Sequence, residues 1–252
     1  MDTSISHNKT NWMQSMRVSN NNVFRIIIAL CASAAVESCR SSLCPAEKAD
    51  RLVRSFTADP GQGLPEVFAA CLDAGANPNS TTATGEEADG WTPLLLTAYG
   101  AFGDGSRQSD DSIWNAASLE QTKLLLEHGA KLDAVTPEGA NALHLSSAAG
   151  RIELAKFLIS KGVAVDLKSK AGTTPLFGAV VSGSKELVAL LIAKGADVNT
   201  VSAEGQTPLD IATILVNDRE QAAFRGAKGF DPQGVLDLLK AKGARSGAAS
   251  PN

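Results

Sequence analysis

The stretch 172-GTTPLFGAVVSGSKELVALLIAKGADVN-199 contains no histidine and no cysteine, and only four of its 28 residues are charged. It opens with a glycine followed by Thr-Thr-Pro-Leu, and another glycine stands near its end. Both glycines belong to series with a fixed step of 33 residues, Gly139, Gly172 and Gly205 in one and Gly129, Gly162 and Gly195 in the other. A fixed period of this size is the signature of a repeat architecture. We therefore expect a stack of similar units.

Each unit is predicted to be a pair of helices. Thr174-Pro175 and Thr207-Pro208 place a capping hydroxyl beside a proline whose fixed φ angle suits the first turn of a helix. A second helix follows, as in Lys185 to Lys194, and ends at the glycine that can take the left-handed conformation. The residues left before the next unit have room only for a turn or a short hairpin.

The second helices share apolar positions when they are aligned on their terminal glycines. The position four residues before the glycine is Cys71, Leu125, Leu158, Leu191 and Leu239, and the position five before it is Ala70, Leu124, Phe157, Leu190 and Leu238. We expect both columns to be buried, because every unit of a solenoid packs the same positions against its neighbour.

The Gly-x-Thr-Pro-Leu start, the helix pair and the Gly-Ala-Asp-Val-Asn end resemble the ankyrin repeat. The resemblance covers about residues 47–246 and implies an all-α solenoid of helix pairs with short β-turn or hairpin connections. It implies about five units including the caps: a degenerate cap at 47–79, units that begin near Gly90, Gly139 and Gly172, and a last unit from Gly205 to Arg245.

We interpret His144 and His128 as residues without a catalytic role, the first by the ankyrin resemblance and the second by its place at a helix end. His144 alone fills the histidine position of the family's Thr-Pro-Leu-His motif, where the ring is expected to bond neighbouring turns. His128 stands just before a helix-ending glycine, where a solvated ring suits the negative end of the helix dipole.

The N-terminus does not fit the repeat. Arg17 and Arg25 precede about ten apolar residues between positions 26 and 35, and small residues occupy positions 32–35. This layout is typical of a secretory signal peptide, and the fit improves if translation starts at Met13 or Met16. A retained short membrane anchor is an alternative, although the run is shorter than the roughly 20 residues of a membrane span. A mis-set start or an uncleaved cytosolic leader is another.

These patterns predict the division of the chain. We expect a signal peptide at 1–35, a linker at 36–46, the repeat domain at 47–246 and a disordered tail at 247–252. A lipid anchor has little support, because neither Cys31 nor Cys39 has the small residues that favour lipoprotein cleavage. The mature protein is expected in the periplasm or secreted, by resemblance to small exported bacterial ankyrin proteins.

The cysteines are compatible with export, since an oxidising compartment would allow one disulfide. Cys39 and Cys44, in a short segment that ends at Pro45, are the candidate pair. Cys71 falls in the buried leucine column, and we interpret it as a small core hydrophobe.

Two insertions interrupt the period. The step from Gly90 to Gly139 is 49 residues instead of 33, which places extra residues at about 101–117, and the last unit carries extra residues at about 216–231. Insertions in repeat proteins form loops on one face, often the binding face.

The candidate binding residues are aromatic side chains of the first full unit and polar side chains at the hairpin tips. They are Trp91, Tyr99, Phe102, Trp114, Glu138, Lys170, Glu204 and Gln206. Tryptophan and tyrosine often dominate the binding energy of protein interfaces. The ankyrin resemblance places Trp91, Tyr99 and the tips on the concave face. Trp91, Tyr99, Phe102 and Trp114 could also fold back on their own unit as packing.

The chemistry of the chain favours binding over catalysis. The net charge of -4 gives no support to nucleic-acid binding, which needs a clustered basic face. No nucleophile motif, metal-ligand spacing or phosphate-binding glycine loop occurs, so we expect no catalytic residue, metal or cofactor.

We therefore expect a non-catalytic module that binds a protein partner of unknown identity through its concave face and inserted loops. A secreted effector that binds a host protein is the alternative, and an inhibitor or enzyme that uses the inserted loops is a further one. Lys240 and Lys242 beside the final helix favour a monomer, because a polar end discourages stacking of one chain on another.

Overall fold

The computed structural model describes residues 65–81, 90–99, 111–217 and 229–247, with side chains described from residue 68 in the first range and from 116 in the third. The predicted signal peptide, linker and Cys39–Cys44 pair lie outside these ranges, as do most of the cap and part of both insertions. Within the described ranges the chain is helical and forms no strand, which confirms the expected all-α class.

The helices come in pairs. They are α1 (Pro65–Asp73), α2 (Pro93–Tyr99), α3 (Asp111–Glu127), α4 (Ala142–Ala148), α5 (Ile152–Ser160), α6 (Pro175–Val181), α7 (Lys185–Ala193), α8 (Pro208–Asn217) and α9 (Pro232–Ala241). The first helices α2, α4, α6 and α8 pack in sequence along one layer, and α1, α3, α5, α7 and α9 pack along a second. Each unit contacts its neighbours, so the structure is the predicted solenoid.

The first insertion is partly helical, which corrects the expectation of a loop at 101–117. Residues 111–117 form the first turns of α3, which has 17 residues, whereas α5 and α7 have nine each. This part of the insertion, Asp-Ser-Ile-Trp-Asn-Ala-Ala, holds neither glycine nor proline, so a helix can run through it.

The column four residues before each terminal glycine forms the centre of the core. Cys71, Leu125, Leu158, Leu191 and Leu239 are all 0% exposed, as predicted. The prediction for the column five before holds only at Ala70, because Leu124, Phe157, Leu190 and Leu238 are only partly buried. The positions seven and eight before the glycine are buried instead, as Leu154 and Ala155 are in α5. Positions four, seven and eight before the glycine share one helical face, whereas position five points to its side.

The joint between the first full unit and the next is polar. In α3 the positions seven and eight before the glycine are Thr122 and Gln121, both buried. The buried Arg151 donates from Nη1 to the carbonyl oxygen of Thr97 at 3.2 Å and to the hydroxyl of Ser118. Because bonds from a charged donor are stronger than neutral ones, this guanidinium ties α2 and α3 to the unit that follows.

The predicted threonine caps differ in outcome. Thr174 precedes α6 but makes no side-chain cap bond, so that prediction is wrong. Thr207 caps α8, because its Oγ1 accepts from the backbone N–H of Asp210 at 3.4 Å, and its hydroxyl donates to Asp210 Oδ2 at 2.8 Å. Asn141 caps α4 in the same place, since its Oδ1 accepts from the backbone N–H of His144 at 3.0 Å. A threonine can thus precede a proline-started helix without capping it.

Cys71 is buried at the centre of the core and is disulfide-bonded. Our interpretation of Cys71 as a plain core hydrophobe is therefore wrong. The other three cysteines of the chain, Cys31, Cys39 and Cys44, all lie before the first described residue.

None of the helices in the described ranges is both long enough and apolar enough to cross a membrane.

Candidate protein-binding surface

Three hairpin turns with the same backbone pattern precede α4, α6 and α8. Thr136 N–H donates to the carbonyl of Ala140, Ser169 N–H to that of Thr173, and Ser202 N–H to that of Gln206, each at 2.9 Å. Neighbouring turns are joined by bonds from Lys170 N–H to the carbonyl of Glu138 and from Ala203 N–H to that of Ala171, both 2.8 Å. The tips therefore form a continuous ladder, which we call the tip ladder (residues 136–140, 169–173 and 202–206).

Glycine is required where the tips approach each other. Gly172 has a φ angle of 70°, and a side chain there would bring its Cβ within 3.0 Å of the backbone nitrogen of Ala203. Only glycine combines a left-handed backbone with this close approach at little cost. Gly139 and Gly205 share the positive φ angle, and the close approach of neighbouring turns adds a second requirement at Gly172.

The predicted tip side chains lie along this ladder. Glu138, Lys170 and Glu204 are exposed and Gln206 is half-buried. Their charges alternate from unit to unit, negative, positive and negative. Such an arrangement offers hydrogen bonds and ion pairs at the rim of an interface, where each pair contributes little on its own.

The predicted aromatic pair is brought together by α2. Trp91 precedes the helix and Tyr99 ends it, and their rings meet edge to face with 5.2 Å between centroids. Trp91 is only 9% exposed, whereas Tyr99 is 37% exposed. The tyrosine therefore presents the accessible surface and the tryptophan supports it from the core side.

Two further predicted residues contribute no described side chain. Phe102 lies outside the described residues, and Trp114 lies in α3 within the part whose side chains are not described.

Sequence reasoning missed an exposed apolar row on the first helices. We call the glycine that begins each unit (Gly90, Gly139, Gly172 or Gly205) the hairpin glycine. The position nine residues after it is occupied by Tyr99, Ala148, Val181 and Ile214, and all four are exposed. Val181 and Ile214 reach 52% and 51% exposure, which is high for aliphatic side chains. Aligning the first helices on their glycines, as was done for the second helices, would have found this column. We call it the apolar row.

His144 holds the tip ladder onto the first helices. Its Nε2 lies 3.1 Å from the carbonyl oxygen of Thr173 in the next turn, and its Nδ1 lies 3.2 Å from the N–H of Asn141 and 2.7 Å from the Asn141 Oδ1. Burial lowers the pKa of His144 and outweighs the bonds to the carbonyls of Thr173 and Leu167. A neutral ring that donates from Nε2 and accepts at Nδ1 fits this setting, which confirms the predicted structural role.

Asp210 occupies the same position in the last unit and binds the end of the chain. Its Oδ2 accepts from Thr207 N–H at 2.8 Å and Gly247 N–H at 2.9 Å, and Oδ1 accepts from the hydroxyl of Ser246. Burial raises the pKa of Asp210, but the bonds from Ser246, Gly247 and Thr207 outweigh it and lower the pKa to about 2. The carboxylate therefore holds the tail over the last unit.

The titratable groups of the described residues do not gather into a candidate metal site. No cluster of three or more histidine, cysteine or acidic side chains that could hold a metal ion occurs among them. The surface instead consists of the tip ladder and the apolar row, which both repeat once per unit.

The comparisons with known proteins agree with this architecture. A family model of ankyrin repeats, in three copies, matches residues 112–202 and 162–223. The helix pairs and stacked turns of the described residues resemble those of an ankyrin-repeat solenoid. No curated protein matches the chain, so the expected likeness to small exported bacterial proteins has no matching relative behind it.

Proposed function

We propose that the protein binds a partner protein through the apolar row and the adjoining tip ladder, and that it does so without catalysis. Ankyrin repeats mediate protein–protein interaction, and this chain is similar to them over its central units. The observation that carries the proposal is the apolar row, in which Tyr99, Val181 and Ile214 are each more than a third exposed at equivalent positions. Exposed apolar side chains in a repeated row are typical of a contact surface.

Tyr99 is the expected hot spot of this surface. Its ring is held by the edge-to-face contact with Trp91, so little conformational freedom is lost when a partner covers it. The alternating charges of Glu138, Lys170 and Glu204 would set orientation more than affinity. No cofactor or metal takes part in this function.

The experiment compares partner capture by variants of the full-length protein. Tyr99→Ser combined with Ile214→Ser removes apolar surface but leaves the buried columns intact. Glu153→Ser combined with Glu186→Ser changes exposed side chains of the second helices and is the matched control. After cross-linking in the producing cells, we expect the control to retain partners that the apolar-row variant loses, with both variants folded by circular dichroism. Equal capture by both variants would contradict the assignment of the surface.

We further propose that the protein is exported. The N-terminal sequence has the layout of a signal peptide, and a disulfide at the fully buried Cys71 suits an oxidising compartment. Fractionation of the producing cells, with mass spectrometry of the N-terminal peptide, is expected to find a chain shortened near residue 35 outside the cytosol. An intact N-terminus in the cytosol would contradict export, and recovery from the medium would favour a secreted effector.

A further inference from the structure

The N-terminal cap helix meets the first full unit through a histidine and a carboxylate. Asp73 is the last residue of α1, and His128 directly follows α3. Nε2 of His128 lies 3.1 Å from Oδ1 of Asp73, and Nδ1 lies 2.9 Å from the carbonyl oxygen of Leu124. The predicted solvated role of His128 is therefore wrong, because its ring joins two units.

Both neighbours of the His128 ring are hydrogen-bond acceptors. A neutral imidazole carries one N–H and can donate to only one of them, whereas an imidazolium donates to both. His144 differs, because its Nδ1 also faces the N–H of Asn141, which a neutral ring can accept. The surroundings of His128 thus fit the charged ring better than the neutral one.

The charges around the ring of His128 also favour its protonated form. Asp73 approaches from α1 and Glu127 from the end of α3, and the side chains of His128 and Asp73 are 27% and 36% exposed. Burial lowers the pKa of His128, but the bond to Leu124 and the bond and charge of Asp73 outweigh it, with a smaller contribution from Glu127, and the pKa is raised.

We propose that His128 and Asp73 form a protonation-dependent clasp that holds the N-terminal cap helix on the first full unit. The clasp is closed while the ring is charged and loosens when the ring loses its proton. The pKa of His128 is higher in the folded than in the unfolded chain, where it is about 6.5. The clasp therefore stabilises the folded protein fully below about pH 6.5, and this stabilisation is lost as the pH rises through the folded-state pKa. The cap is therefore held more firmly in mildly acidic than in alkaline solution, whichever partner the protein binds.

The same joint contains a second contact that does not titrate. Nδ2 of Asn79 donates to the carbonyl of Gly129 at 3.0 Å, and Oδ1 accepts from the N–H of Lys131 at 2.8 Å. These bonds join the cap to the same turn that His128 precedes. Asn79→Ala is thus a matched control, because it weakens the joint equally at every pH.

The test follows the ring and the cap in the oxidised full-length protein. A titration by NMR of the His128 ring, assigned with His128→Gln, gives its pKa in the wild type and in Asp73→Asn. Hydrogen exchange at the amides of Ala74, Gly75 and Ala76, which close the end of α1 with bonds of 3.0–3.1 Å, reports how firmly the cap is held. Protection factors are compared at pH 6 and pH 8.5.

We expect the wild-type ring to titrate above the value of the urea-unfolded chain, and Asp73→Asn to lower its pKa. Protection at the end of α1 is expected to fall several-fold between pH 6 and pH 8.5 in the wild type and to be independent of pH in His128→Gln. Asn79→Ala should lower protection by the same factor at both pH values. A ring that titrates at or below the unfolded value, or a fall in protection that persists in His128→Gln, would overturn the proposal.

Discussion

The joint between the two regular units and the C-terminal edge of the stack differ in the side chain five residues after the hairpin glycine. In the regular joint this is His144, which reaches the carbonyl of Thr173 in the following turn. At the edge it is Asp210, which accepts from the N–H of Gly247 and the hydroxyl of Ser246. A following unit offers an acceptor, whereas the returning tail offers donors. The residue at this position therefore matches the partner that lies next to it.

The same comparison separates the two regions by charge. His144 is buried and its pKa is lowered, so at this position the regular joint is bonded by a ring that favours the neutral form. Asp210 is ionised and more accessible, with a pKa of about 2. At this position the regular joint thus uses a buried ring of lowered pKa, and the edge uses a charged acceptor.

The largest loss in the free energy of unfolding is predicted for a substitution in the packed core of the regular joint. Leu191→Ala removes a side chain that is 0% exposed and should lower the free energy of unfolding by about 2–5 kcal/mol, because a cavity is left in a packed core. Leu190→Ala on the same helix is the matched control, since that leucine is only partly buried. Urea unfolding of both variants measures the difference. A larger loss for Leu190→Ala would contradict the assignment of the buried face.

An intermediate effect is expected where the second insertion returns to the stack. Asp231 N–H donates to the carbonyl of Gly183 at 2.8 Å, and a Cβ on Gly183 would overlap the ring of Phe230. Gly183→Ala should therefore cost about 1–3 kcal/mol more than an alanine at another left-handed glycine without this overlap, where about 1–2 kcal/mol is lost.

Gly162→Ala is the matched control for this prediction. Gly162 also has a positive φ angle, 89°, but no atom lies within 4 Å of its added Cβ. The difference between the two variants in urea unfolding isolates the contact with Phe230, and Phe230→Ala should abolish that difference. Equal losses for Gly183→Ala and Gly162→Ala would show that the insertion does not dock there in solution.

The smallest effect concerns the charged edge. The pKa of Asp210 is lowered from 3.8 to about 2. The stability that its carboxylate contributes to the fold is therefore complete above about pH 4 and is lost as the pH falls through about 2. Asp210→Asn should lower stability by about 1 kcal/mol near pH 7 after allowance for solvent screening, with no difference left below about pH 2. Unfolding of the two proteins at a series of pH values measures this. Glu204→Gln, at an exposed position of the same unit, is the control and should leave the acid range unchanged.

Much of the fold follows from the order of residues because each unit repeats the same local requirements. The glycine spacing predicts the helix pairs, and the column four before each glycine predicts the centre of the core. The predicted tip residues Glu138, Lys170 and Glu204 do lie on one ladder. Sequence reasoning failed at Thr174, whose hydroxyl does not cap, and at His128, whose partner Asp73 is 55 residues away. In both cases the hydrogen-bond partner of the side chain is decided by the folded structure and not by the neighbouring sequence.

The sequence by itself determined the repeat, its helix pairs and the positions of its turn glycines, because these arise from contacts that recur once per period. Only the tertiary structure decided the features that break the period: the buried Arg151 beside Ser118, the ring of Phe230 against Gly183, and the exposure of Tyr99 over the buried Trp91. Arg151 and Phe230 contact residues of other units, and the exposure of Tyr99 depends on how α2 packs in the stack. Their partners are set by three-dimensional packing, which a one-dimensional period does not contain.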